Sequence, residues 1–134
     1  MRVVLDTNVV VSALLLSESA SRRAFDRAFE KGEVLLSLPV LAEISDVLAR
    51  PRFRKYVSDE DVRLFLAAYV HRAEWVKISG SIRACRDPKD DKFLELATNG
   101  RATHIISGDD DLISLSPFRG ILVVPPAAFL NSFE

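Results

Sequence analysis

Short apolar runs, mostly of β-branched residues, recur along the chain at Val3 to Leu5, Val34 to Leu36, Val76 to Ile78, His104 to Ile106 and Ile121 to Val124. Runs this short and this continuous match strands buried on both faces, as parallel sheets bury them. Helical periodicity fills the gaps. Ala24, Phe25, Ala28 and Phe29 form one stripe ending at Gly32, with Arg22, Arg23 and Arg27 on the solvated side. Pro39 suits the first turn of a helix whose stripe is Val40, Leu41, Ile44, Val47 and Leu48, and Pro51 marks a break. Ser58 and Asp61 make a capping box for a helix carrying Val62, Phe65, Leu66, Tyr69 and Val70. Asp87 and Pro88 read as N-cap and first residue of a helix that carries Phe93, Leu94, Leu96 and Ala97 and ends near Gly100. The same spacing assigns Trp75 and most of the phenylalanines to the core. Strands alternating with helices predict one α/β domain over residues 1–134, built on a mainly parallel sheet of about five strands.

Composition narrows the possible partners. The chain has 134 residues, and 49% of them are hydrophobic, enough for an ordinary core. Lys and Arg number 18 against 19 Asp and Glu, a net charge of −1, so any polyanion must be held by local patches or by metal. A single cysteine, Cys85, excludes an internal disulfide and a cysteine zinc cluster, and fits a reducing cytoplasm. Asp6 and Asn8 interrupt the first apolar region, and no run approaches the roughly 18 residues of a membrane span, so the expectation is a cytoplasmic protein with no membrane partner.

Four stretches place carboxylates where folding alone gives little reason for them. Asp6 follows an apolar run and precedes Val9 to Val11, near the interior, where an unpaired charge is costly, although Asp6-Thr7-Asn8 also suits a helix cap. Glu43 lies about 100° from the centre of its helix stripe and borders the buried face, whereas Asp46 lies opposite and is solvated. With Asp87 capping and Asp90 favoured by the helix dipole, Asp91 is the surplus acid and the expected ligand, Asp90 the weaker candidate. Ser107-Gly108-Asp109-Asp110-Asp111 carries more acids than one cap needs. Gly108 would let the backbone approach a bound ion, with Asp109 and Asp111 turned inward and Asp110 outward.

Carboxylates gathered by a fold repel one another and would protonate without a cation. Oxygen ligands with no Cys/His cluster point to Mg²⁺ or Mn²⁺, whose usual task in such sites is handling phosphate oxygens. His71 and His104 are not placed as base or ligand. The run Arg50, Arg52, Arg54 and Lys55 is open to two readings, a phosphate contact or a solvated face.

Taken in order, Val-Val-Leu-Asp6-Thr7-Asn8-Val, Glu43 in the second helical segment, Asp-Pro-Lys-Asp-Asp91-Lys-Phe-Leu-Glu-Leu-Ala and Ile-Ser107-Gly108-Asp109-Asp110-Asp111-Leu resemble the PIN-domain ribonucleases. The likeness is greatest to the VapC-type toxins of prokaryotic toxin–antitoxin pairs. The resemblance implies an α/β/α sandwich and a quartet of Asp6, Glu43, Asp91 and Asp109, with Asp111 a fifth member or sharing the role of Asp109. It implies Thr7, Asn8 or Ser107 as supporting hydrogen-bonders. It also implies one or two Mg²⁺ or Mn²⁺ ions that activate water for in-line attack on an RNA phosphodiester, a cognate antitoxin and a homodimer. Two alternatives stay open: an RNA-processing nuclease that is no toxin, and a silent RNA- or protein-binding scaffold. A phosphatase of the haloacid dehalogenase type would want a second Asp where Asn8 stands.

Overall fold

The computed structural model describes residues 1–133. Five strands form one sheet in the order β3-β2-β1-β4-β5, every neighbouring pair parallel. They are β1 (Arg2–Leu5), β2 (Glu33–Leu36), β3 (Glu74–Trp75), β4 (His104–Ile106) and β5 (Leu122–Val124). Helices flank the sheet: α1 (Thr7–Leu15), α2 (Ala20–Lys31), α3 (Leu38–Leu48), α4 (Asp59–Arg72), α5 (Asp91–Asn99), α6 (Asp110–Ile113) and α7 (Pro126–Asn131). None of them is long and apolar enough to cross a membrane.

The central strands are apolar on both faces because both faces are covered, and Val3, Val4, Leu35, Leu36, Ile105 and Ile106 have no exposed surface. Helix α5 packs across β1, β2 and β4, while α2 packs against β2, α1 and α7. The ring of Phe25 stacks on Phe65 and Tyr69 at 5.5 and 5.7 Å between centroids, which fastens α4 to α2. Ser58 and Asp61 form the expected capping box at the start of α4.

The edge strand departs from the sequence expectation. Pairing with β2 falls on Glu74 and Trp75, not on Val76 to Ile78; Val76 gives one last hydrogen bond, 2.9 Å to the Leu36 carbonyl, before the chain leaves the sheet. An edge strand needs only one good partner, so apolar character does not fix its register. Trp75 accordingly stands on the surface, 44% exposed, rather than in the core. The other departure is at α5, where Pro88–Asp90 form a 3₁₀ turn and the α-helix begins only at Asp91.

Candidate active site

β1 and β4 are paired in register, with Leu5 opposite Ile106, so Asp6 and Ser107 leave the sheet side by side at its carboxyl edge. The Asp6 N–H donates to the Ile106 carbonyl at 3.1 Å, which closes the ladder. Asp6 then caps α1 by accepting from the Val9 N–H at 2.9 Å, and its other oxygen accepts from the Ser107 hydroxyl. Ser107 Oγ in turn accepts from the Asp109 N–H at 3.0 Å. One buried serine therefore ties the carboxylate after β1 to the loop after β4.

Asp6 is 4% exposed. Burial pushes its carboxyl above the usual range, the Ser107 and Val9 hydrogen bonds oppose that, and the charges of Asp109 and Glu43 add to it. Glu43 reaches the same place from α3. One of its oxygens accepts from Thr7 Oγ1, and the other takes the Lys92 ammonium at 2.8 Å.

The fourth acid of this cleft is Asp90. Asp6, Glu43, Asp90 and Asp109 line one cavity of about 230 Å³ with Thr7, Asn8, Arg50, Arg52 and Phe53. Burial, then the charges of Asp109, Asp87, Glu43 and Asp6, push the Asp90 carboxyl up to about 6.

Asp91, the acid expected from the sequence, faces elsewhere. It lines a separate, larger cavity of about 750 Å³ with Ser81 to Cys85, Pro88, Lys89, Lys92 and Glu95. Its Oδ1 accepts from the Ala84 and Cys85 N–H groups at 3.1 and 2.8 Å. Burial acts to raise its carboxyl, but those N–H groups, the Cys85 side chain and Arg83 outweigh it and hold the carboxyl below the usual range. Asp90 closes the 3₁₀ turn and Asp91 opens α5, and the two neighbouring acids line different cavities.

Asp111 also lies outside the cleft. It is exposed, and its N–H donates to Asp109 Oδ1 at 2.9 Å, making Asp109 the cap of α6. A side chain at Gly108 would meet open space, so nothing steric requires glycine there. Of the expected supporting residues, Thr7 holds Glu43, Ser107 holds Asp6, and Asn8 lines the cleft. Lys92, which pairs with Glu43, carries no mark in the sequence, because a lysine one position after an acidic pair reads as a solvated helix residue.

The donors of the cleft are carboxylate oxygens, the chemistry a hard divalent cation takes, and the carboxyls of Asp6 and Asp90 are raised first by burial and further by the charges of the neighbouring acids. Among the described residues no three acidic, histidine or cysteine side chains stand within common coordinating reach, and both Glu43 oxygens are already engaged by Lys92 and Thr7. The fit therefore lies in the donor set and its charge, with Glu43 held by internal partners.

Three comparisons with known proteins agree with this architecture. The family described as PIN domain matches residues 2–111. An uncharacterized protein of Methanocaldococcus jannaschii is 33% identical over 143 residues, covering 99% of this chain and 92% of that protein. The fold is shared with a Pyrobaculum aerophilum protein, with a TM-score of 0.64, 11% identity, and 98% and 88% of the two chains covered. It is shared too with a chain of VapBC2 from Rickettsia felis, solved bound to a DNA fragment from their promoter, with a TM-score of 0.63, 15% identity, and 92% and 97% covered. The sheet order, the cleft at its carboxyl edge and the match over most of the chain give one result: this protein belongs to the PIN-domain family of nucleases.

Proposed function

We propose that this protein, as one domain over its whole length, is a cytoplasmic, divalent-metal-dependent endoribonuclease that hydrolyses RNA phosphodiester bonds as the toxin of a toxin–antitoxin pair. The observation that carries the reading is the convergence of Asp6, Glu43, Asp90 and Asp109 on one cleft from four separate segments of the chain. A bound Mg²⁺ or Mn²⁺ supplies charge stabilisation to phosphate oxygens and lowers the pKa of the attacking water.

The chain's own groups do the rest. Asp6, Asp90 and Asp109 would hold the cation through their carboxylate oxygens, and Glu43 would complete the set. Ser107 holds the Asp6 carboxylate in one orientation, and Thr7 does the same for Glu43, so neither must be ordered when substrate arrives. Asp91 fastens the segment before α5, and Asp111 fixes the Asp109 loop through its backbone. The toxin role and an antitoxin partner draw on the fold shared with the Rickettsia felis chain, an analogy at the level of fold. A homodimer belongs to the same reading.

The test is cleavage of a panel of structured and single-stranded RNAs in Mn²⁺, Mg²⁺ or EDTA, comparing wild type with Asp6→Asn and Asp90→Asn folded to equal extent. Cutting that needs a divalent ion and is lost in both variants supports the reading. No cutting with any ion, with tight RNA binding retained, replaces it with a silent binding scaffold. Inhibition by a co-purifying small protein encoded beside this gene tests the toxin role separately.

A further inference from the structure

The run Arg50, Arg52, Arg54 and Lys55 is one cluster in sequence but not in the fold. Arg54 is committed internally: its guanidinium donates to the Leu48 carbonyl at 2.7 Å and pairs with Asp59, tying the end of α3 to the start of α4. Lys55 leans over the Tyr56 ring. Arg50 and Arg52 instead line the acidic cleft.

Neither of those two guanidinium groups has a hydrogen-bonded or ion-paired carboxylate among the described residues, although four carboxylates line the same cavity. The turn that carries them is rigid for its length. Pro51 opens it, the Arg54 N–H donates to the Pro51 carbonyl at 3.0 Å, and the Tyr56 and Val57 N–H groups both donate to the Phe53 carbonyl at 3.0 Å. The Arg52 guanidinium lies over the Phe53 ring, 4.8 Å from its centre, and Phe53 itself lines the cleft. The four carboxylates of this cavity repel a polyanion, and Arg50 and Arg52 are the cationic side chains that line it.

We infer that Arg50 and Arg52 form an RNA-phosphate clamp, their forked N–H groups taking the non-bridging oxygens of the phosphates that flank the scissile one. The inference rests on the nuclease reading above and names the groups by which a nearly neutral chain holds its substrate. Arginine suits the task because its planar fork matches two phosphate oxygens at once. Phe53 holds the Arg52 fork in place before substrate binds.

The experiment is fluorescence anisotropy of a labelled 12-nucleotide single-stranded RNA with the whole protein in CaCl₂ at several salt concentrations, alongside calorimetry of Mn²⁺ binding. Arg50→Ala/Arg52→Ala is expected to weaken RNA binding about tenfold or more and to lower the slope of log affinity against log salt by about 1.4, the release expected for two single-strand phosphate contacts. Arg50→Lys/Arg52→Lys is expected to recover the slope and only part of the affinity. Mn²⁺ binding should not weaken in either variant. An unchanged affinity and slope in the alanine pair, with wild type binding and cutting RNA, overturns the clamp and leaves the nuclease standing. Loss of Mn²⁺ binding in the alanine pair overturns it as well, since the arginines would then be structural. Wild type that neither binds nor cuts RNA with any divalent ion overturns both readings.

Discussion

The Lys92 ammonium lies 2.8 Å from Oε1 of Glu43, joining the second residue of α5 to the middle of α3. Both side chains are about three-quarters covered, at 22% and 25% exposure, so the pair is screened less than a surface bridge. In the protein without divalent ions, Lys92 is the positive charge nearest to hand for Glu43. A cation that draws on Glu43 must compete with it.

Lys92→Met is therefore expected to act in opposite directions on two measurements. The metal-free protein should lose on the order of 1–2 kcal/mol in urea unfolding, the worth of one charged hydrogen bond in a half-covered place. Mn²⁺ affinity measured by calorimetry should rise severalfold, because Glu43 is released. Weaker Mn²⁺ binding in the variant would show instead that Lys92 positions Glu43 for the ion.

Asp90 and Asp91 are neighbours with different expected phenotypes. Asp90→Asn should abolish RNA cleavage, by at least about a hundredfold where a charged group at the reacting centre is lost, while leaving the fold intact. Asp91→Ala should leave the Ala84 and Cys85 N–H groups without their acceptor, at about 1–2 kcal/mol for partly exposed donors that water can reach. Hydrogen exchange at Ala84 and Cys85 should quicken in Asp91→Ala and stay as in wild type in Asp90→Asn. Residual cleavage in Asp90→Asn equal to wild type would remove Asp90 from the site.

This pair also shows where sequence reasoning reached its limit. Strand identity was legible because β1, β2 and β4 are buried on both faces, and burial on both faces leaves an uninterrupted apolar run. The cleft's position was legible for the same reason, since acids placed just after such runs must emerge at the sheet's carboxyl edge. The phase of α5 was not. Pro88 and an acidic N-cap at Asp87 start an α-helix or a 3₁₀ turn equally well, and the choice depends on how α5 docks on β1, β2 and β4, a tertiary contact. Lys92 was hidden likewise, because its partner Glu43 lies 49 residues away in sequence.

The Asp90 carboxyl should give stability without divalent ions a pH dependence opposite to ordinary acid denaturation. The Asp90 carboxyl sits at about 6 in the fold against 3.8 in its ordinary state, and Asp6 is shifted the same way. Between those values the folded protein binds more protons than the unfolded chain, so stability falls as pH rises through that window. In EDTA, lowering the pH from 7 toward 5 should therefore raise the melting temperature relative to that of Asp90→Asn, while His104, whose imidazole is held below its ordinary 6.5 by burial and the amino terminus, destabilises both proteins over the same window. Asp90→Asn should itself melt higher than wild type at pH 7, because the repelling charge is gone. Asp91 runs the other way: its carboxyl is lowered, so its contribution is present above 3.8 and is lost as pH falls below that, which sets the return to instability in stronger acid. A melting temperature that falls from pH 7 to 5 in EDTA as much in wild type as in Asp90→Asn would contradict the packing of these acids.

Ser107 offers a test that separates orientation from ligation. It is fully buried, its hydroxyl donates to Asp6, and its oxygen accepts from the Asp109 N–H. That hydroxyl holds the Asp6 carboxyl down against burial, so Ser107→Ala should raise it further. A carboxyl that is more often protonated binds a cation less well at neutral pH but equally well once the pH is high enough to ionise it. The Mn²⁺ concentration for half-maximal cleavage should therefore rise severalfold at the acidic end of the activity profile and converge on wild type toward its alkaline end. Ser107→Thr, which keeps the hydroxyl, should lie between the two. A deficit that stays constant across this range would mean that Ser107 serves only to pack the junction of β1 and β4, with no hand in the charge state of Asp6.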